Sequence, residues 1–387
     1  MLVNQVFVVC EKINNNILLF FRQSIQIVCC LHKAERISPL SKIKNSKIIF
    51  LLFTTIVLAI VLIVKPNTAV QFNSTQFLMN SFVQVSFNGK NAEKAGREVF
   101  TELKAFENEI SMHINGSLIS QINTNAGIQP VKLNDRALYI VSQSKKYSQL
   151  SNGLFDITIA PVVTEWGITS ENPKVPSKEK LNELLALVDY HDIIIDEANK
   201  TAMLARKGQS IDLGAVAKGY ACDIVREIAQ KHKITSGFVS VGGNTVIIGK
   251  KPDGSDYNIG LRDPNGDETQ YILSLNFPDR TMATSGAYER FFIDENGNRY
   301  HHIIDPRTGY PAESDLLSVS VISKSGILTD ILSTTFFIEG LEEVKKNLNN
   351  PDYDIIAVDK QNNVYMSENI KAYVKQNNSI TSYNLLF

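Results

Sequence analysis

The sequence predicts an α+β fold: mixed, mostly antiparallel sheets with packed helices, preceded by one N-terminal transmembrane helix. Three observations lead there. Apolar residues recur at helical spacing in several separate stretches, strand-like runs are joined by short polar or glycine turns, and the two kinds of element do not alternate as βαβ units.

In chain order, residues 1–47 read as a cytoplasmic extension carrying seven Lys/Arg against two Glu. Residues 48–64, IIFLLFTTIVLAIVLIV, are an unbroken apolar or hydroxyl-bearing run with Lys42, Lys44 and Lys47 before it and Lys65 after. Its length is near the lower limit for a membrane span, and the upstream lysines keep the N-terminal end in the cytoplasm. The expectation is a single-pass helix in the cytoplasmic membrane, with everything after residue 65 on its outer face. Three cysteines, Cys10, Cys29 and Cys30, precede the run and Cys222 stands alone after it. The exported part therefore has neither an internal disulfide nor metal-type cysteine spacing. No cysteine follows the run as a lipoprotein signal requires, so a helical anchor or a cleaved signal peptide is expected.

Composition of the 387-residue chain, 44% apolar and 20% charged, is ordinary for a globular protein. The net charge of -1 offers no basic excess to grip nucleic acid.

Beyond the run, Ala92, Ala95, Val99, Leu103, Phe106 and Ile110 mark an amphipathic helix over 91–110. A second helix is predicted from Asn134, as N-cap, to about Gln149, and a third from Ser177 to Val188 with Leu181, Leu184, Leu185 and Val188 inward. SNGLFDITIAP between them looks like a turn entering a strand. DIIID (192–196) with TAMLAR (201–206), and FVSV (238–241) with TVIIG (245–249), read as hairpins. Further strands are expected at YNIGLR, YILSLNF, RFFID and LLSVSVIS, and a last helix from about Gly326 to Leu348.

Five segments combine small and ionisable residues where a core would prefer Leu or Val. IDLGAVAKGYACDIV (211–225) is expected to run from a strand end through Gly214 into a helix, with Lys218 beside free helix-start amides that favour an anion. Gly242-Gly243-Asn244 lets backbone approach a ligand closely. Thr284, Ser285 and Gly286 form a polar turn offering hydroxyls and amides. In LTDILSTTFF (328–337), Asp330 and Thr334 stand four apart and so share one helix face; these hard oxygens suit Mg2+. In YHHIIDPRTGYP (300–311), Asp305-Pro306 and Thr308-Gly309 make tight turns, and an extended backbone sends His301 and His302 to opposite faces. Each segment alone is also compatible with an ordinary turn, cap or solvated surface.

Taken in order, DLGAVAKGYA, the GGN hairpin, TSG-Y, HHIIDPRTGYP and TDILST resemble the ApbE-type FAD:protein FMN transferases, over about residues 75–375. GLFDITIAPVVTEWG (153–167) is similar to the family's Phe-Asp segment followed by a Trp, and Met79 stands where the family has an early Met-Gly-Thr; here Asn80-Ser81 follows instead. The resemblance implies two related α/β halves enclosing a cleft. It also implies Mg2+-dependent transfer of FMN from FAD to a Thr or Ser hydroxyl of an exported or membrane protein, with AMP released. Acceptors of the family are subunits of sodium-pumping NADH:quinone oxidoreductase or Rnf-type complexes. Carried over by residue, FAD contacts fall on Met79, Leu154, Phe155, Asp156, Asp212, Lys218 and Ile304. Metal ligands would be the Ala215 carbonyl, Asp330 and Thr334, and His302 the base or acid near the attacking hydroxyl. The same site with water as acceptor would be a FAD pyrophosphatase. A non-catalytic exported flavin-binding protein is a third reading, disfavoured because binding alone needs neither Asp330 nor His302.

Overall fold

The computed structural model describes residues 70–267, 269–376 and 382–386; the expected extension (1–47) and transmembrane helix (48–64) lie outside the described residues. Strands β1 (Gln71–Leu78) and β2 (Ser81–Asn88) pair without a break from Gln71↔Asn88 to Leu78↔Ser81. Only Met79 and Asn80 are left to turn, and both take positive φ, 54° and 53°. That geometry follows the twist of a two-residue hairpin, but it is uncommon for a side chain as large as Met.

Helix α1 (Ala92–Ile110) buries the six residues expected from its periodicity. After α2 (Leu118–Thr124) and the short β3 (Val131–Lys132) comes α3 (Asp135–Leu150), whose predicted cap Asn134 accepts from Ala137 N at 2.9 Å. The predicted strand in SNGLFDITIAP is instead a 3-10 turn (Ile157–Ile159) running into α4 (Ala160–Trp166). Asp156 accepts from Thr158 N and starts that turn, and Pro161 falls in the first helical turn, where its missing N–H costs nothing. Ser177 caps α5 (Lys178–Leu185), which ends three residues before Val188. The expected hairpin of β4 (Ile193–Asp196) and β5 (Thr201–Leu204) forms, with β3 added to its edge.

No strand precedes α6 (Ala217–Lys231); residues 211–216 turn into it. β6 (Ser236–Val241) and β7 (Asn244–Gly249) enclose only Gly242 and Gly243, so Asn244 belongs to the strand. β8 (Ile259–Arg262) and β9 (Tyr271–Leu275) pair as expected. β10 (Thr281–Gly286) contains the residues predicted as a polar turn; pairing with β7 and β13 overrides their polarity. A small hairpin, β11 (Phe291–Ile293) with β12 (Arg299–His301), precedes β13 (Leu316–Ser323). The predicted last helix is two, α7 (Gly326–Glu339) and α8 (Leu341–Asn347), broken at Gly340 with φ 91°. β14 (Asp354–Asp359), β15 (Asn363–Met366), β16 (Val374–Gln376) and β17 (Asn384–Leu386) complete the described chain.

One sheet runs β1-β2-β6-β7-β10-β13-β14-β15-β17, antiparallel except at β15–β17. Its two ends meet through just two residue pairs, Thr281↔Val246 and Met282↔Thr245, after which β10 continues without β7. Each end has its own helical cover: α1 and α6 pack on β2 and β6, while α7 and α8 pack on β13 and β14. The other face is closed by the sheet β16-β9-β8. The expected α+β class with mainly antiparallel pairing is what the chain adopts. Its halves are the ends of one sheet, and they part beyond Met282, where the pairing of β10 with β7 stops.

The covers touch where α6 crosses α7. A Cβ on Gly219 would stand 2.2 Å from the Gly326 carbonyl oxygen, and one on Gly326 would stand 2.2 Å from the Gly219 oxygen. Only hydrogen fits at either position.

Candidate active site

The glycine crossing brings Asp330 against the start of α6. Asp330 is buried, and its Oδ2 accepts from Gly219 N–H at 2.8 Å while Oδ1 accepts from Asn244 Nδ2 at 2.9 Å. Two elements from the other half thus fix both oxygens of one carboxylate. By helical spacing the Gly219 amide would serve the Ala215 carbonyl; its turn towards Asp330 leaves that carbonyl outside the backbone ladder of α6. One turn further along α7, Thr334 Oγ1 lies 3.3 Å from Ser285 Oγ, which also lies 2.9 Å from Ser333 Oγ. Among the described residues no three His, Cys, Asp or Glu side chains gather as a metal site. A cation here would have one carboxylate, a hydroxyl and a carbonyl, all hard oxygens. That set fits Mg2+, which retains waters and leans on phosphate oxygens.

Lys218 stands beside Gly219, half-buried and with no carboxylate partner among the described residues. The turn of β6–β7 makes room for it. A Cβ on Gly242, φ 55°, would come within 3.3 Å of Lys218 Cδ and 2.6 Å of Ser81 Oγ. Met79, two residues before Ser81, is held by its own N–H donating to Glu107 Oε1 at 3.0 Å. Lys218 and Ser81 therefore meet around Gly242, next to the Gly219–Asp330 contact, with Met79 on the turn before Ser81.

The histidine loop comes from the other side. His302 Nδ1 is 3.2 Å from the Arg290 carbonyl oxygen. A carbonyl only accepts, so Nδ1 carries the proton and Nε2 keeps a free lone pair. Burial first, then the charges of Lys218 and Arg290, push His302 down to about 3, so the ring is neutral. His301 is differently placed: Nε2 donates to the Ala312 carbonyl at 3.0 Å, Nδ1 accepts from Ile303 N–H at 3.3 Å, and the ring packs edge-on against Phe337. Both of its nitrogens are in use. The two rings do part company as an extended backbone requires.

The loop after them is braced as its composition suggests. Arg307 grips Asp305 through Nε and Nη2, Gly309 turns with φ 73°, and Trp166 Nε1 donates to the Gly309 carbonyl at 2.7 Å. Ile304 is buried against Val162, Trp166 and Leu181.

The remaining predicted contacts are less open. Phe155 is buried in the core beneath α1 and α6, and Leu154 packs against the α7 core. Asp156 is buried, and its carboxylate accepts from Thr158 N–H, Thr158 hydroxyl and Tyr190 N–H. Burial still pushes it up to about 6. Asp212 accepts from Gly214 N–H at 2.9 Å, and burial raises it despite that bond. These carboxylates brace nearby backbone, with Asp212 the more exposed of the two.

A family model described as the ApbE family matches residues 79–358, a span holding Met79, Lys218, Asn244, His302 and Asp330. The chain belongs to the ApbE family. It is an enzyme of the flavin transferase type. It is 32% identical over 297 residues to a FAD:protein FMN transferase of Klebsiella pneumoniae (strain 342), covering 76% of this chain and 92% of that one. A second FAD:protein FMN transferase, of Treponema pallidum (strain Nichols), is 35% identical over 260 residues, 64% of this chain and 71% of that one. The crystal structure of the ApbE protein of Thermotoga maritima superposes with a TM-score of 0.73 at 30% identity, over 79% of this chain and all of the other. For the flavin transferase ApbE of Vibrio cholerae the TM-score is 0.71 at 25% identity, over 79% of this chain and 99% of that one.

Within this ApbE-family site, sequence reasoning singled out Asn244 and Ser285 but not their pairing with Asp330, Ser333 and Thr334, and it missed the roles of Gly219 and Arg290. The Gly-Gly-Asn turn was a visible signal, but the partner of Asn244 lies 86 residues away. Gly219 in a helix otherwise suited to Ala was the other available sign.

Proposed function

We propose that this chain is a Mg2+-dependent FAD:protein FMN transferase that moves FMN from FAD onto a Thr or Ser hydroxyl of an exported or membrane flavoprotein subunit and releases AMP. The observation that carries it is the placing of Lys218, which has no carboxylate partner among the described residues, next to a doubly anchored Asp330 and close enough to a neutral His302 for its charge to act on that ring. The acceptor oxygen attacks the FMN phosphorus, the bond to the bridging oxygen breaks, and that oxygen leaves with AMP. His302 Nε2 takes the proton from the attacking hydroxyl. Lys218 offsets charge on the pyrophosphate and orients it. Mg2+ held by Asp330, Thr334 and the Ala215 carbonyl would supply further neutralisation of the pyrophosphate. Met79, held in a rigid positive-φ turn, and Asp212 border the flavin nucleotide, while Leu154, Phe155, Asp156 and Ile304 shape the wall behind it.

The apolar run 48–64 and its upstream lysines support a single-pass anchor in the cytoplasmic membrane with this domain on the periplasmic or outer face. Subunits of a sodium-pumping NADH:quinone oxidoreductase or an Rnf-type complex are the acceptors the family suggests. The test is incubation of the full chain with FAD, Mg2+ and the flavin-attachment domain of such a subunit. Mass measurement should find the acceptor heavier by FMN, with AMP in equal amount. AMP and free FMN without any acceptor gain would make the enzyme a pyrophosphatase instead.

A further inference from the structure

All three exposed phenylalanines among the described residues stand on two hairpins beside the site. Phe77 is 61% exposed and Phe82 70%; they pair across β1 and β2 with ring centroids 5.5 Å apart, next to the Met79–Asn80 turn. Phe291 is 41% exposed and Ile293 59%, on β11. Arg290 ties the hairpins together. Its Nη2 donates to the Asn80 carbonyl at 2.8 Å, and its own carbonyl accepts from His302 Nδ1. The exposed apolar side chains and the proton acceptor thus share one junction.

Solvated hairpin faces ordinarily carry polar side chains, and clustered exposed rings mark interaction surfaces. β1 is also the outer strand of the nine-stranded sheet among the described residues, so its free edge can pair with an extended segment. Arg290 and Arg299 have no carboxylate partner among the described residues. Arg299 lies 3.7 Å over the Phe291 ring. We infer that Phe77, Phe82, Phe291 and Ile293 form the docking surface for the acceptor protein, which binds as an extended segment with apolar side chains flanking its reactive hydroxyl and an acidic residue facing Arg290 and Arg299. This rests on the transfer reading above, because only an acceptor whose hydroxyl reaches His302 Nε2 has reason to dock on the hairpins that Arg290 joins.

The test uses the full chain in detergent with FAD, Mg2+ and the flavin-attachment domain of a sodium-pumping NADH:quinone oxidoreductase subunit as the probe acceptor. Phe77→Ser with Phe82→Ser, and separately Ile293→Ser, should each raise KM for the acceptor at least about tenfold while KM for FAD and kcat at saturating acceptor stay unchanged. Ile128→Ser, at a site 67% exposed in a loop elsewhere, should leave all three unchanged. A photo-crosslinking residue at position 82 of the otherwise unmodified chain should capture the acceptor, and one at position 128 should not; this arm stands even where a hairpin variant folds poorly. Unchanged acceptor KM together with no crosslink overturns the surface. So does loss of binding to phosphatidylglycerol vesicles with acceptor KM unchanged, which would make the rings lipid-facing. Failure of the unmodified enzyme to add mass to the acceptor, with AMP still produced, would sink the transfer reading itself.

Discussion

Gly219→Ala gives opposite answers depending on whether helix or site controls the position. Gly219 is the third residue of α6, where Ala is favoured over Gly by at most about 0.8–1 kcal/mol, so helix preference alone has the substitution stabilise. The crossing of α6 and α7 has it do the reverse. The new methyl would stand 2.2 Å from the Gly326 oxygen and 2.6 Å from Asp330 Cβ. The first neighbour is backbone, which cannot rotate away, so α7 has to move as a unit. Overpacking of this kind costs about 1–3 kcal/mol. The same movement pulls Asp330 Oδ2 from Gly219 N–H, and a hydrogen bond to a charged group is worth about 1.5–3 kcal/mol. Set against the helix gain, the net loss is about 3 kcal/mol, with Asp330 displaced from its position. Urea unfolding of the variant and a Mg2+ titration of the transfer rate measure the two effects. Equal or greater stability of Gly219→Ala, with transfer intact, would refute the close crossing.

Three further outcomes are expected. His302→Ala should slow single-turnover transfer by about two to four powers of ten with FAD binding little changed, while His301→Ala, which loses the Ala312 bond and the Phe337 contact, should lower stability more than rate. Asp330→Ala should abolish Mg2+ binding seen by calorimetry, whereas Thr334→Val should weaken it only modestly because water can replace a neutral hydroxyl. For Asp156, raised from 3.8 to about 6 in the folded chain, the protonated form is the one favoured by folding. Its contribution is fully present below pH 3.8 and lost as pH rises to about 6, a fall of ~3 kcal/mol that pH-dependent urea unfolding should show and Asp156→Asn should flatten.

Helices α1, α3 and α5 were legible because their apolar spacing and caps agree with one another. The strand mistaken at SNGLFDITIAP shows the limit of such reasoning. Its β-branched Ile157, Thr158 and Ile159 suit a strand, but the Asp156 cap and Pro161 in the first turn fit the helix that packs Trp166 under the histidine loop. β1 has no clear alternation and rests on its pairing with β2; β14, buried throughout, offers no amphipathic pattern. At the site, the Asp330–Thr334 spacing and the divergence of the two histidines follow from local geometry. The bond from Asn244 and the Gly219–Gly326 contact join residues 86 and 107 positions apart, and no local pattern encodes such a meeting.

A histidine held down to about 3 is a weak base, yet its surroundings fit the chemistry asked of it. Burial is the leading cause, and the charges of Lys218 and Arg290 come after it. Negative phosphate beside Lys218 would offset the charges but leave the burial, so the ring would recover only part of its ordinary basicity. Phosphoryl transfer through a loose transition state asks little of the nucleophile early, because bond breaking to the leaving group runs ahead of bond making. The hydroxyl becomes strongly acidic only as its oxygen joins phosphorus, and a neutral Nε2 already in place can accept the proton at that stage. Preorganisation matters more than strength here. The Arg290 carbonyl fixes the tautomer, the Asp305–Arg307 clamp and the Trp166–Gly309 bond hold the loop, and burial keeps His302 neutral near pH 7.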